Sequence, residues 1–207
     1  MMKLDRRCKT VILGNGEFPK ASIPLSVLNG AECVICCDGA ADRYMSKGMI
    51  PYRIIGDGDS LSQDILENHK DIFIKISDQE TNDLTKAVNY LLNEGITCFD
   101  IVGASGKRED HALGNISLLM DYRCRGADVR MYTEYGVFIP CLNTCTLITY
   151  PKQQVSIINF TARHLYSEDL VYPIRDFTEW WQGTLNEAKA SSTTIEAEGE
   201  YLVFLNY

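Results

Sequence analysis

No stretch of the 207-residue chain approaches the ~20 consecutive apolar residues that a membrane-spanning helix needs. The first apolar run, Val11-Ile12-Leu13, is short and follows a charged start from Met1 to Lys9, so no secretory signal is expected. Basic charge is scarce. Lys and Arg number 20 against 28 Asp and Glu, and the net charge of −8 argues against a nucleic acid or an anionic membrane surface as the main partner. Lys107-Arg108 and the pair Arg123 and Arg125 are small cationic spots that leave room for a local basic site.

Common catalytic signatures are missing too. There is no Gly-x4-Gly-Lys-Ser/Thr, which excludes a P-loop enzyme, and no kinase-type Asp-Phe-Gly set. Pro19 stands where the dinucleotide fingerprint would place its third glycine after Gly14-Asn15-Gly16. Ser60 and Ser105 have no evident histidine partner, and His111 is as fit for a structural role as for a catalytic one. Cys33 and Cys36-Cys37 lack a second Cys or His pair at zinc spacing and alternate with Val34-Ile35, so they read as small core residues. Eight cysteines without a secretory signal are expected as reduced thiols in a cytoplasmic protein.

What is present centres on Ile54-Ile55-Gly56-Asp57-Gly58-Asp59-Ser60. An apolar pair reads as the end of a buried strand, and the glycines as a tight turn. Two carboxylates this close repel each other unless a cation lies between them, and a hard divalent ion such as Mg²⁺ does that well. Similar punctuation recurs. Strands are expected at Thr10–Leu13, Cys33–Cys37, Tyr52–Ile55, Ile72–Ile76 and Phe99–Val102. They end in Gly14-Asn15-Gly16, Asp38-Gly39, Asp57/Asp59, Asp78 to Asp83 and Gly103 to Asp110. Between them run helices to about Gly48, from about Ser62 to His69, from Asn82 to Glu94, and to about Arg125. The third is the clearest, because Leu84, Ala87, Val88, Leu91 and Leu92 recur at helical spacing behind an Asn82 or Thr81 cap, with Asp83 in the first turn. The fourth is expected to bury Leu113, Ile116, Leu119 and Met120.

Alternating strands and helices predict a parallel sheet covered by helices, with ligands at the carboxyl ends of the strands. After Asp128 the texture changes to short strand-like runs, from Val129–Thr133 to Tyr201–Leu205, with no long helix. The expectation is an N-terminal Rossmann-like α/β domain, 1–128, followed by a C-terminal β-sandwich, 129–207, with the junction near 125–135. Acids that can hold Mg²⁺, glycine backbones and a cation at a helix start are parts for handling a polyphosphate. Lys107 or Arg108 could stabilise developing charge. The residues by themselves lead to a Mg²⁺-dependent enzyme acting on a nucleoside triphosphate or another phosphate ester, with the substrate open.

Asp38-Gly-Ala-Ala, Gly56-Asp-Gly-Asp-Ser60, Asp78-Gln-Glu-Thr-Asn-Asp83 and Gly106-Lys-Arg-Glu-Asp-His-Ala-Leu-Gly-Asn115 together resemble the thiamine pyrophosphokinase family in order, spacing and placement. The resemblance covers about Val11 to Arg125. It extends more loosely to Asp169-Leu-Val-Tyr-Pro173 and Gly183-Thr-Leu-Asn186. It implies transfer of a diphosphate from ATP to the hydroxyl of thiamine, giving thiamine diphosphate and AMP. By that resemblance Asp57, Asp59 and Asp83 would hold Mg²⁺, and with Arg108 and Asp110 form the catalytic set. Asn15, Gly16, Asp38, Gly39, Asp78, Gln79, Lys107 and Asn115 would serve ATP. The family's homodimers would place thiamine at the subunit interface, near Tyr172, Asn186 and Trp181. Trp180 and Trp181 are adjacent, so in a strand one would be core and the other available to substrate or interface. Leu185 stands where the family commonly has Ser, and Glu80 and Asn82 where Asp and Thr are common. Two other readings stay open: an Asp-x-Asp sugar-nucleotide transferase, which leaves Asp83 and Arg108–Asp110 without roles, and a non-catalytic thiamine- or nucleotide-binding module.

Overall fold

A computed structural model describes residues 8–207. The described chain divides into two compact units, one ending at Glu134 and the other running from Tyr135 to Tyr207.

In the first unit, β1 (Thr10–Leu13), β2 (Cys33–Cys37), β3 (Arg53–Gly56), β4 (Phe73–Lys75), β5 (Cys98–Val102) and β6 (Asp128–Tyr132) form parallel pairs in the order β6-β5-β1-β2-β3-β4. Val11, Ile12, Ile35, Ile54, Ile55, Ile101 and Val102 are buried, including neighbours that face opposite sides of the sheet. That is why these strands read as continuous apolar runs. Five helices connect them: α1 (Ser22–Asn29), α2 (Ala40–Met45), α3 (Gln63–Asn68), α4 (Asp83–Asn93) and α5 (Glu109–Cys124). α4 packs on β1, β2 and β3, α1 on β1 and β5, and α5 on β6. Asn82 caps α4 by accepting the Thr85 N–H at 2.9 Å. Successive strands step outward from β1 to β4, and the chain then returns to place β5 on the other side of β1. A sheet that reverses order there opens a crevice between the carboxyl ends of β1 and β5.

The second unit is antiparallel. β7 (Gly136–Leu142), β9 (Gln154–Asn159), β11 (Asn186–Glu187) and β13 (Glu200–Asn206) form one sheet in the order β11-β9-β13-β7. β8 (Cys145–Ile148), β10 (Arg163–Tyr166) and β12 (Ser192–Glu198) form another, ordered β10-β12-β8. Val155 and Ile157, and Thr193, Ile195 and Ala197, are buried at every second position, the period of strands with one face in a core, whereas Tyr201, Leu202 and Val203 of β13 are buried in a row. This is the two-layer β region that the sequence predicts.

Several expectations need correction. The strand at 128–132 pairs in parallel with β5, so it belongs to the α/β unit, and the division falls between Glu134 and Tyr135 rather than after Asp128. Leu119 and Met120 of α5 are buried as expected, together with Tyr122, but Leu113 is exposed and Ile116 only half-buried. Trp180 and Trp181 are not in a strand. A 3₁₀ turn, Trp180–Gly183, capped by Glu179 and Gln182, leaves them 45% and 72% exposed, so neither is core. Not all eight thiols are reduced, because Cys8 and Cys98 form a disulfide. The register Thr10 to Phe99 between β1 and β5 brings the two cysteines side by side, with Cα atoms 5.6 Å apart. Cys36 and Cys37 are buried core residues, as expected. Among the described residues no helix is long and apolar enough to cross a membrane.

Candidate active site

A cleft of about 460 Å³ opens where the strand order reverses. Gly14, Asn15 and Gly16 line it after β1, Asp57 and Ser60 after β3, Gln79, Thr81 and Asn82 from the segment before α4, and Asp83 from the start of α4. Ser105, Lys107 and Arg108 contribute from the loop after β5, and His111 and Asn115 from α5.

The loop after β1 is pressed against the loop after β5. Gly16 N–H donates to Gly103 O at 2.6 Å and Glu17 N–H to Ser105 O at 2.7 Å. A Cβ on Gly16 would lie 2.4 Å from Ser105 O, so no other residue fits without moving backbone. Asn15 is oriented by two cations. Its Oδ1 accepts from an Arg43 Nη at 2.8 Å and from Lys107 Nζ at 3.3 Å, while the other Arg43 Nη donates to Gly16 O at 2.6 Å. Burial lowers the Lys107 pKa, and the nearby Arg43 charge lowers it further. Two cations next to each other favour an anion between or beside them.

Asp38 closes the base of this wall. It is 1% exposed, and its backbone is left-handed, with φ 27°. Oδ2 accepts the Ser60 N–H at 3.0 Å, whereas Oδ1 is buried without a hydrogen-bond partner. Burial raises its pKa, with Asp83 and Asp57 adding to the rise against the Ser60 hydrogen bonds. Gly56 makes room for it, since a Cβ there would approach Asp38 Cβ to 2.7 Å. Gly39 similarly leaves room for Asn15 Nδ2, 2.9 Å from where its Cβ would be.

Asp57 and Asp83 face the same cleft. Asp57 Oδ1 accepts the Asp59 N–H at 3.1 Å, and Oδ2 accepts from Gln79 Nε2 at 3.4 Å. The Asp59 N–H is the main reason the Asp57 pKa lies below the usual carboxylate range. Asp83 Oδ1 is 3.0 Å from Lys86 Nζ. The remaining acids are placed differently. Asp59 is exposed and does not line the cleft. Asp78 accepts from Glu80 N at 2.9 Å and from the Thr81 hydroxyl, so it shapes the turn before α4. Asp110 lies outside the cleft lining and is gripped by Arg108, Nε to Oδ1 at 3.1 Å and Nη to Oδ2 at 2.6 Å. That pairing brings the Asp110 pKa down to about 2. Asn115 ties α5 to its neighbours, accepting from Asn82 Nδ2 at 3.0 Å and donating to Ala104 O at 2.8 Å.

Among the described residues no three His, Cys, Asp or Glu side chains converge tightly enough to cage a metal ion. Mg²⁺ does not ask for a cage, because it is commonly held by one or two carboxylates, water and substrate phosphates. Asp57 and Asp83 meet that description, and Asp38 Oδ1 shows a further carboxylate oxygen left unsatisfied behind them.

In the second unit, Asn186 is buried and spends its side chain on Tyr172. Its Oδ1 accepts the Tyr172 N–H at 3.0 Å and its Nδ2 donates to Tyr172 O at 2.8 Å. Asn186 thus holds the backbone that presents Tyr172. Tyr172, Trp181 and Leu185 are exposed, and Leu185 is left-handed, with φ 62°.

The model for "Thiamin pyrophosphokinase, catalytic domain" matches residues 25–132, more than half of the chain. The chain belongs to the thiamin pyrophosphokinase family. The "Thiamin pyrophosphokinase, substrate-binding domain" model matches residues 136–204, so the family's two modules coincide with the two units. Thiamine pyrophosphokinase 2 of Arabidopsis thaliana is 27% identical over 150 residues, covering 59% of this chain and 55% of that protein. Thiamine pyrophosphokinase 1 of the same plant is 30% identical over 117 residues, covering 44% of each. The chain therefore spans about half the length of the curated relatives it matches. In structure it is similar to the thiamine pyrophosphokinase of Bacillus subtilis, with a TM-score of 0.78 and 21% identity over 96% of this chain and 98% of that one. The yeast thiamin pyrophosphokinase gives a TM-score of 0.77 at 15% identity, covering 95% and 85%. At such identities these two likenesses show the family's fold.

Two cleft-side residues escape a sequence reading. Lys86 stood within the α4 pattern at i+3 from Asp83, a spacing that could have flagged an ion pair. Arg43 gave no signal, since nothing local to α2 says that it reaches the β1 loop.

Proposed function

We propose that this protein transfers a diphosphate from ATP to the hydroxyl of thiamine, giving thiamine diphosphate and AMP. The observation that carries this reading is the cleft itself. In a chain of this family it brings Asp57 and Asp83 together with Lys107, Arg108 and the Gly14-Asn15-Gly16 backbone. Asn15, held by Arg43 and Lys107, and the glycine backbone orient the nucleotide. Lys107 and Arg108 neutralise its phosphates. Asp57 and Asp83 would hold Mg²⁺, with Asp59, outside the cleft lining, orienting Asp57 through its backbone N–H. When bound, Mg²⁺ supplies charge neutralisation of the polyphosphate toward an incoming oxygen. Asp57 or Asp83 accepts the proton that leaves the attacking hydroxyl. A primary alcohol attacking an anionic phosphorus mainly needs position and charge compensation, and these residues provide both.

The second unit serves the acceptor in this reading. Tyr172, presented by Asn186, and Trp181 offer exposed aromatic faces suited to a cationic thiazolium. We further propose a homodimer with thiamine at the interface between two copies, and a cytoplasmic location, where ATP is supplied. The test is product analysis of purified protein with ATP, Mg²⁺ and thiamine, each omitted in turn. Equal amounts of AMP and thiamine diphosphate, formed only in the full mixture, are expected. ADP as product, or AMP without thiamine, would remove thiamine as acceptor. Thiamine bound without turnover would make the chain a binding module.

A further inference from the structure

Lys86 is 3% exposed, in a position where lysine is rarely found unless it is paired. Its ammonium meets Asp83 at 3.0 Å, one helical turn earlier on α4, and it lines the cleft beside Asp57. Burial alone would lower its pKa. The Asp83 hydrogen bond and the charges of Asp83, Asp57 and Asp78 more than reverse that effect, though Asp83 alone is in contact with the ammonium among the described residues. Stability does not account for this arrangement well, because the desolvation of a buried ion pair largely offsets its attraction. A cation at the base of an acid cluster has another consequence. It occupies Asp83 Oδ1, leaves Oδ2 for another ligand, and cancels one unit of the negative charge that would otherwise draw in a divalent ion.

We infer that Lys86 is a positioning residue, a built-in counter-ion that fixes the orientation of Asp83 and restrains how tightly the acids take a divalent cation. The inference rests on reading Asp57 and Asp83 as the metal-holding acids. It predicts effects of opposite sign, which a merely structural lysine would not produce. Without the ammonium the cleft is more negative and binds a divalent ion more tightly. Asp83 is then free to turn, and the reaction slows.

The experiment titrates Mn²⁺ alone into substrate-free protein, following the free-ion EPR signal, for the unaltered protein and for Lys86→Met, Lys86→Gln and Lys86→Arg. Removing a unit charge within a few ångströms of a divalent ion corresponds to about tenfold tighter binding or more in Lys86→Met and Lys86→Gln. Lys86→Arg is expected to restore ordinary Mn²⁺ affinity. In the AMP-forming assay, kcat is expected to fall roughly tenfold or more in Lys86→Met and less in Lys86→Gln, which can still donate to Asp83 Oδ1. The KM for thiamine is expected to stay put. Glutamine keeps the site polar, so it remains informative if methionine prevents folding. Mn²⁺ affinity that is unchanged or weaker in a folded neutral variant overturns the inference and leaves the function intact. Absence of Mn²⁺ binding in both the unaltered protein and the variants overturns the metal reading itself, and the inference with it.

Discussion

On the acid side of the cleft, Asp38 and Lys86 are 1% and 3% exposed, whereas on the cationic side Arg108 and Asp110 keep 70% and 63% of their side chains in solvent. The acid side is built into the ends of β2 and β3 and the first turn of α4, where neighbours leave little room to move. Gly56 gives way to Asp38, Asn82 caps α4, and Lys86 holds Asp83. The cationic side is a loop whose charges are paired mainly to one another's neighbours. The difference separates two tasks. Groups that must stand in a fixed relation to the reacting atoms belong on rigid elements, whereas groups that gather a flexible anion can adjust when it arrives.

Substitutions can break this comparison, and the acid side should break hardest. Asp57→Asn and Asp83→Asn are each expected to lower kcat at least a hundredfold, in line with removing one preorganised electrostatic group. The melting temperature of Asp57→Asn should change little, because that carboxylate is not deeply buried, whereas Asp83→Asn is expected to lower it, since buried Lys86 then loses its partner carboxylate. Loss of activity together with loss of fold would mean that these acids are scaffold. The cationic side should respond in binding. Arg43→Ala removes the two bonds that hold Asn15 and Gly16, and roughly a tenfold rise in KM for ATP is expected, with kcat falling less. A fall confined to kcat would show that the loop acts on the chemical step.

Asp38 sharpens the comparison through pH. Its pKa in the folded protein is raised above the ordinary 3.8, so as pH rises the unfolded chain loses this proton first. Its contribution to stability is therefore complete below the unfolded pKa and is lost as pH rises toward the folded value. Asp38→Asn should then gain in melting temperature relative to the unaltered protein between pH 4 and pH 7, by a few degrees. Equal differences at both pH values would show that Asp38 is not penalised for its charge. The smallest effect is expected at Asp110. Its pairing with Arg108 loosens only as pH falls toward about 2, so it does not shape activity near neutrality. Asp110→Asn should change the KM for ATP by less than about threefold, since the pair is exposed. A loss as large as that of Asp57→Asn would place Asp110 among the reacting groups.

Much of this could be read in the sequence, and the parts that could not share a cause. The strands β1 and β2 and the helix α4 were legible because both faces of the strands, and one face of the helix, are apolar at the right period. An Asp-Gly-Asp turn alone is ordinary at a surface, and Asp57 stood out because glycine and acid loops end the neighbouring strands as well; Asp57 lines the cleft and Asp59 does not. What did not show were partnerships over long separations. Arg43 meets Asn15, Asp38 meets Ser60, and Asn186 meets Tyr172 across the fold, and no local pattern encodes such meetings. The tryptophans make a related point. Adjacency places Trp180 and Trp181 on opposite faces only in a strand, and Glu179 and Gln182 close a tight turn there.

The bridge from Asn82 through Asn115 to Ala104 has a mechanical consequence. Ala104 belongs to the loop that carries Lys107 and Arg108, and Asn82 directly precedes Asp83. The loop and the first turn of the helix that bears Asp83 are therefore pinned to a common post, a single α5 side chain, so neither can shift far without breaking one of its two hydrogen bonds.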